Sequence, residues 1–300
     1  MRISAVINTR NEERNIVRCL RAIHPFVEEI VVVDMESKDR TRQLARKFTK
    51  KIYTHKNVDY VEPARNFAIE KATGDWIILL DADEIVPEEL GLKFRRLVDH
   101  ATYEFYRIPR KNLIFGRWVT HSGWWPDYQI RFFKKGIVRW ENEIHSIPTT
   151  YGKGMDLQAE EKNALIHYHY DSIAQYLERL NRYTTQEVNQ LISENATFSW
   201  KDMLTKPAGE FMTRYFAWEG YKDGLLGLAL SILQAISFFV VQLKLWEAHR
   251  FNEEMFTLEE MKTISNKIED DMHYWFYNKK SESATGVSKL LYKIRAKSKV

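Results

Sequence analysis

Residues 76–84, Trp-Ile-Ile-Leu-Leu-Asp-Ala-Asp-Glu, constrain the fold more than any other stretch: an unbroken apolar run ends in two aspartates one residue apart. Such a run suits a central strand buried on both faces, which belongs in a parallel sheet covered by helices. The carboxyl ends of those strands open into the crevice where open α/β sheets carry their chemistry. Asp81 and Asp83, at i and i+2 of an extended segment, point the same way and suit a shared divalent ion, or a metal and a ribose hydroxyl between them. Hard oxygen ligands favour Mg²⁺ or Mn²⁺ over zinc. A helix cap at Asp81 with a solvated Asp83 is the competing reading.

The chain before this stretch repeats one design. Residues 3–9 read as a strand, 10–14 as a polar loop, and Ile16, Val17, Leu20 and Ile23 as a helix stopped by Pro25. Residues 29–34 form a second strand ending in Asp34, and residues 37–41 open a helix through Leu44, Ala45 and Phe48. A weaker strand over 51–54 and a helix over 62–72, with Pro63 in its first turn, lead to Gly74 and the central strand. Another helix runs from Pro87 to about Val98. This alternation predicts an α/β fold with a mostly parallel, Rossmann-like sheet. No G-x-G-x-x-G follows the first strand and no P-loop motif occurs, so phosphates would have to be held by metal and side chains. Locally, Asp34 equally reads as a helix-entry residue and Arg65 as a solvated helical charge.

Four ordered motifs, Ile-Asn-Thr-Arg-Asn-Glu-Glu at 7–13, Val-Val-Val-Asp at 31–34, Ala-Arg-Asn-Phe-Ala at 64–68 and Leu-Leu-Asp-Ala-Asp-Glu at 79–84, resemble a family-2 glycosyltransferase with the GT-A fold. The resemblance implies a nucleotide-sugar donor, usually a UDP-sugar. Asp34 would bind the uracil, Asn8, Thr9, Arg10, Asn11 and Glu12 the nucleotide edge, and Arg65 the base or diphosphate. Asp81 would face the ribose and Asp83 the metal that bridges the diphosphate.

From Tyr103 the pattern turns strand-like, over 103–109 and 128–133 with a turn at Gly136, and between these lies Thr-His-Ser-Gly-Trp-Trp-Pro-Asp-Tyr at 120–128. Trp124 and Trp125 suit a sugar face, and Asp127 suits a base that takes a proton from an acceptor hydroxyl. A tryptophan pair packed under a loop, with Asp127 in a turn, is the alternative. His-Ser-Gly-Trp, Pro-Asp and Arg131-Phe-Phe133 are similar to the lipopolysaccharide-core β-1,4-glucosyltransferases. That resemblance implies acceptor or sugar contacts from His121, Gly123, Trp124, Trp125 and Arg131, and inversion at the anomeric carbon. It also implies a metal ligand at His145, followed here by Ser146 where the pattern has Glu. His167 and His169, alternating with tyrosines, compete as metal ligands, and Glu141 and Glu143 are the next candidate bases.

The remainder reads as helices: residues 172–192, a helix begun by Pro207, and twenty residues without charge over 224–243. That length could span a bilayer. Gly224, Gly227, Ser231, Gln234 and Ser237, however, recur at helical spacing as a stripe suited to helix packing. A monotopic, membrane-apposed helix therefore fits better, followed by a basic and apolar tail over 286–300. The division expected is 1–102 for the nucleotide-sugar half, 103–170 for the acceptor half of the same catalytic domain, and 171–300 for a helical region in membrane or oligomer contact. One cysteine rules out a disulfide framework and suits a reducing compartment. A strand beginning at Ile3 argues against a signal peptide. A net charge of +4 is too small to argue for nucleic acid. The expected setting is the cytoplasmic face of the cell membrane, with a saccharide acceptor, lipid-linked or otherwise, and a homo-oligomer left open. Two rival classes remain: a D-x-D phosphatase or phosphotransferase with Asp81 as nucleophile, and a non-catalytic membrane adaptor.

Overall fold

The computed structural model describes residues 1–57, 61–140 and 148–298. They form two compact units: Met1–Trp118 with Trp125–Asp171, and Val119–Trp124 with Ser172–Val300.

The first unit runs β1 (Ile3–Thr9), α1 (Ile16–Ile23), β2 (Glu29–Asp34), α2 (Thr41–Ala45), β3 (Ile52–Thr54), α3 (Glu62–Lys71), β4 (Trp76–Asp81), β5 (Glu84–Ile85) and α4 (Glu88–Asp99). Then follow β6 (Phe105–Ile108), β7 (Arg110–Ile114), β8 (Arg117–Trp118), β9 (Gln129–Lys134), β10 (Val138–Arg139), β11 (Thr149–Thr150), β12 (Gly154–Asp156) and β13 (Leu165–Tyr170). The main sheet has the order β12-β6-β9-β4-β1-β2-β3, with β1 parallel to β2 and β4 and only β9 running against its neighbours. A second sheet, β5-β13-β7-β8, sits beyond the end of β4.

Successive side chains of a strand face opposite sides, and the sequence places apolar groups on both. Ile3, Ala5, Ile7, Ile78 and Leu80 join α1 and α4 residues such as Leu20 and Phe94 in one core layer. Val6, Val31, Val33, Ile77 and Leu79 form the other with Ala64 and Ala68 of α3, whose small side chains let the helix approach closely. Each fully buried aliphatic side chain contributes roughly 1.5–3 kcal/mol. Both faces of β1 and β4 are covered, as an uninterrupted apolar run requires. Strands β6, β9 and β12 extend the main sheet beyond β4, while β7, β8 and β13 join β5 in the second sheet.

Two helices depart from the sequence expectation. Helix α2 ends at Ala45, leaving Phe48 in the following turn. In the second unit, which comprises α5 (Ile173–Ser193), α6 (Trp200–Met212), α7 (Gly224–Ala248), α8 (Leu258–Ser283) and α9 (Gly286–Lys297), Pro207 does not begin a helix but lies inside α6. The start is set instead by Ser199, whose hydroxyl accepts from the Lys201 amide. Proline at position 207 removes one intrahelical hydrogen bond. Helix α8 goes beyond the sequence expectation. Its start is a Thr257–Glu260 capping box in which each side chain serves the other's backbone.

Candidate active site

The carboxyl ends of β1, β2 and β4 lie side by side. Asn8 is the register partner of Asp81, and Thr9 of Asp34, so each pair shares one face of the sheet. Asp34 is fully buried: Oδ2 accepts from the Ser37 amide at 3.1 Å, while Oδ1 has no hydrogen-bond partner among the described residues. The same holds for both amide atoms of Asn8 and for the Thr9 hydroxyl. Buried polar atoms are nearly always bonded, so this group of orphans at the head of the sheet has hydrogen-bonding capacity to offer a ligand's polar edge. Asn11 and Glu12 are engaged otherwise. Asn11 Oδ1 accepts from the Lys38 amide, and the Glu12 amide donates to Thr41 Oγ1, which ties the loop after β1 to the loop after β2. Arg10 is half-buried in that loop.

From Asp81 a row of alternating charges crosses five elements. Arg65 of α3 donates to Asp81 at 3.2 Å. Arg131 of β9 bonds the same carboxylate and reaches Glu84 of β5 at 2.7 Å. Arg110 of β7 reaches Glu84 at 3.2 Å and clasps Asp127 with Nε at 2.9 Å and a terminal nitrogen at 2.5 Å. Burial alone would raise the Asp81 pKa, but Arg131 and then Arg65 and Arg110 outweigh it and hold the carboxyl well below its ordinary range. Asp127 is treated alike: burial raises its pKa, while Arg110, Asn112 and Gln129 bring it below the usual carboxylate value. It is therefore ionised at neutral pH, as a proton acceptor must be.

Arg131, expected at the acceptor, is 1% exposed, and its Nη2 bonds both Asp81 and Glu84 while Nε has no hydrogen-bond partner among the described residues. These bonds hold β9 to the end of β4.

A second chain of contacts leads from Asp127 to Asp83. Asn112 Nδ2 donates to Asp127 Oδ2 at 3.1 Å, so Asn112 Oδ1 is the acceptor for His167 Nδ1, 2.6 Å away. His167 Nδ1 also lies 3.3 Å from His169 Nδ1, and His167 Nε2 lies 3.6 Å from Asp83 Oδ2. A carboxylate and an imidazole nitrogen side by side are ligand types that a divalent cation takes. Among the described residues no group of three or more His, Cys, Asp or Glu gathers as a metal site. His145, Glu141 and Glu143 lie outside the described residues. His169 packs against His167, with ring centroids 4.5 Å apart.

The segment 120–128 is divided between the units. Trp125, whose ring meets Trp118 edge-on at 5.1 Å, belongs with Asp127 to the first. His121, Gly123 and Trp124 belong to the second. There Asp223 accepts from Thr120 Oγ1 at 2.9 Å and from the His121 amide at 2.8 Å, and Arg214 donates to the Ser122 carbonyl at 2.8 Å. Glycine at 123 has two causes: a φ of +77°, and a Trp218 ring carbon 2.4 Å from where a Cβ would stand.

Glu84, Arg110, Asn112 and Gln129 carry no sequence signal of their own. Only Glu84 adjoins a motif, as the last residue of Leu-Leu-Asp-Ala-Asp-Glu.

Residues 4–162 match the family model described as glycosyl transferase family 2. The chain is 26% identical over 255 residues to an uncharacterized glycosyltransferase of Rickettsia typhi, covering 82% of this chain and 87% of that protein. It is 26% identical over 200 residues to SunS, an SPbeta prophage-derived glycosyltransferase of Bacillus subtilis, over 64% of this chain and 46% of that protein. Among solved structures, S. aureus TarS 1–349 in complex with UDP aligns at 15% identity and a TM-score of 0.44, over 86% of this chain and 94% of that one.

Proposed function

The chain belongs to glycosyl transferase family 2, and we propose that it moves a sugar from a UDP-sugar to a hydroxyl of a saccharide acceptor with inversion at the anomeric carbon. The observation that carries the donor half is the set of orphaned buried atoms on Asn8, Thr9 and Asp34 beside the Asp81 and Asp83 carboxylates. A uracil ring offers both donors and acceptors, and Asp34 Oδ1 would take its N–H while Thr9 and Asn8 complete the edge. Arg65, 13% exposed at its side chain, would reach the diphosphate while retaining Asp81.

Asp83 and His167, with His145 as the alternative to His167, would hold Mn²⁺ or Mg²⁺, whose part when bound is to neutralise charge on the departing diphosphate. Asp127 would accept the proton of the acceptor hydroxyl. Its side chain is 22% exposed, and Arg110, Asn112 and Gln129 fix both oxygens, so the carboxylate meets the acceptor in one orientation. Trp125 would supply a sugar face. A phosphatase built on Asp81 as nucleophile fits less well, because Arg65 and Arg131 already occupy that carboxylate. The proposed acceptor is a lipid-linked saccharide, of the lipopolysaccharide-core type by the motifs at 121–131, used at the inner face of the cell membrane.

The test is calorimetry with UDP, UDP-sugars and other nucleotide sugars, with and without Mn²⁺, on the intact chain and on Asp34→Ala. Saturable UDP binding that Asp34→Ala weakens at least tenfold is the expected result. Equal affinity in the variant, or no nucleotide binding at all, overturns the donor reading.

A further inference from the structure

Helix α7 is apolar on its outward side as well as its inward one. Its inward side carries the buried Leu230, Val241 and Leu245 beside the buried Gly227, Ser231 and Gln242, and Gln234, whose amide donates to the Tyr176 hydroxyl of α5 at 2.7 Å. Its outward side carries Leu225, Ile232, Ile236 and Phe239, spaced so that they form one stripe, with Leu225 81% exposed. The most apolar window of Gly220–Ala248 has a mean hydropathy of 2.2, and only 22% of it is buried. Beside the stripe, a groove of about 340 Å³ between α6 and α7 is lined by Pro207, Phe211, Ile232, Ala235, Ile236 and Phe239. A helix that is apolar inward and keeps a second apolar stripe outward is the arrangement of a helix whose outer medium is not water.

Helix α9 repeats the theme with charge. It packs on α8 through Tyr292, whose ring lies 6.2 Å from that of Tyr277, and through the buried Ala296. The opposite side shows Val287, Leu290, Leu291 and Ile294, each more than half exposed. At 100° per residue, Lys293 and Lys297 lie on one side of this stripe and Arg295 on the other, Lys289 falls on the side of Ala296, and the helix has no acidic residue.

We propose that the second unit docks on an anionic lipid bilayer, with the outward stripe of α7 at the acyl boundary and the cations of α9 on lipid phosphates. Charge decides between lipid and a second copy of the chain. In a two-fold pairing the same patch meets itself, so Lys293, Lys297 and Arg295 beside the α9 stripe would face their own kind. Anionic headgroups supply the opposite sign.

The test is flotation of the full chain with vesicles of phosphatidylcholine alone and of phosphatidylcholine with roughly a third phosphatidylglycerol. Expected is binding to the anionic vesicles that falls on the order of tenfold when high salt shortens the Debye length to a few ångströms. The pair Lys293→Glu and Lys297→Glu should weaken it at least as much, and Ile236→Asp should weaken it with the helical circular dichroism and melting preserved. Equal binding to neutral and anionic vesicles overturns the proposal, as does retention through alkaline carbonate, which means a spanning helix. So does absence of vesicle binding with a dimer that Ile236→Asp disperses. Flotation requires no nucleotide and no transfer, so its failure leaves the donor reading standing, and loss of UDP binding leaves this one standing.

Discussion

Replacing Arg131 by Met tests whether the buried charge row holds the end of β4 to β9. Arg131 is almost fully buried and bonds two carboxylates, and Glu84 among them has no exposed side-chain surface. Methionine keeps the aliphatic volume but leaves those carboxylates to Arg65 and Arg110 alone. Removing one partner of a buried ion pair costs about 3–5 kcal/mol, because the other charge stays buried without compensation. With a urea slope of roughly 2–3 kcal/mol per molar for a unit of this size, the midpoint of the first unit should fall by roughly 1–2.5 M. The buried Trp76 makes fluorescence a fitting readout. The pH dependence carries the sign. In the wild type the Asp81 pKa is depressed, so its contribution to stability is fully present above its unfolded value near 4 and is lost as the pH falls below that. In Arg131→Met the burial that raises the pKa faces two guanidiniums rather than three, so protonation begins at higher pH and relieves the buried charge. The stability gap between wild type and variant should be widest near neutrality and narrow as the pH approaches about 4. A gap below about 1 kcal/mol at neutral pH, or one that does not change on acidification, would refute the argument.

Asp127→Asn should keep UDP affinity and lower transfer to a membrane-extract or synthetic acceptor by roughly two to four orders of magnitude; transfer near the wild-type rate would move the base elsewhere. Asp83→Asn should abolish the Mn²⁺ dependence of UDP binding without shifting the melting temperature, and unchanged dependence would sink its role. Replacing His167 and His145 separately by Ala, with the same readout, decides which imidazole is the ligand: loss only in His145→Ala would remove His167 from the site. Gly227→Ala sets a methyl 1.9 Å from the Gly220 carbonyl oxygen, a backbone atom with no room to yield. The second unit should lose about 1–3 kcal/mol, seen as a lower midpoint by circular dichroism, and an unaltered midpoint would refute the close approach of these two turns.

Periodicity and punctuation determined most of the first hundred residues. Apolar runs ending in Asp34 and Asp81 mark β2 and β4, and Pro63 and Gly74 bracket the helix between them. These are local facts, because a strand or helix presents its side chains with a fixed period whatever surrounds it. That Asn8 stands beside Asp81 is a matter of strand order and register, which the tertiary structure decided. Strand β7 escaped because Arg-Lys-Asn-Leu-Ile alternates weakly and carries its polar groups inward to Asp127 and Glu84. Only the tertiary structure decided that Arg131 bonds Asp81 and Glu84, fifty and forty-seven residues away. It likewise decided that His121 to Trp124 part from Trp125, and that the small and polar stripe of α7 points inward while its isoleucines and phenylalanine point out. Sequence spacing says which residues share a face. Which medium or partner that face meets depends on strand order and on helices contributed from distant parts of the chain, and for a buried charge the partner is what determines whether it can remain ionised.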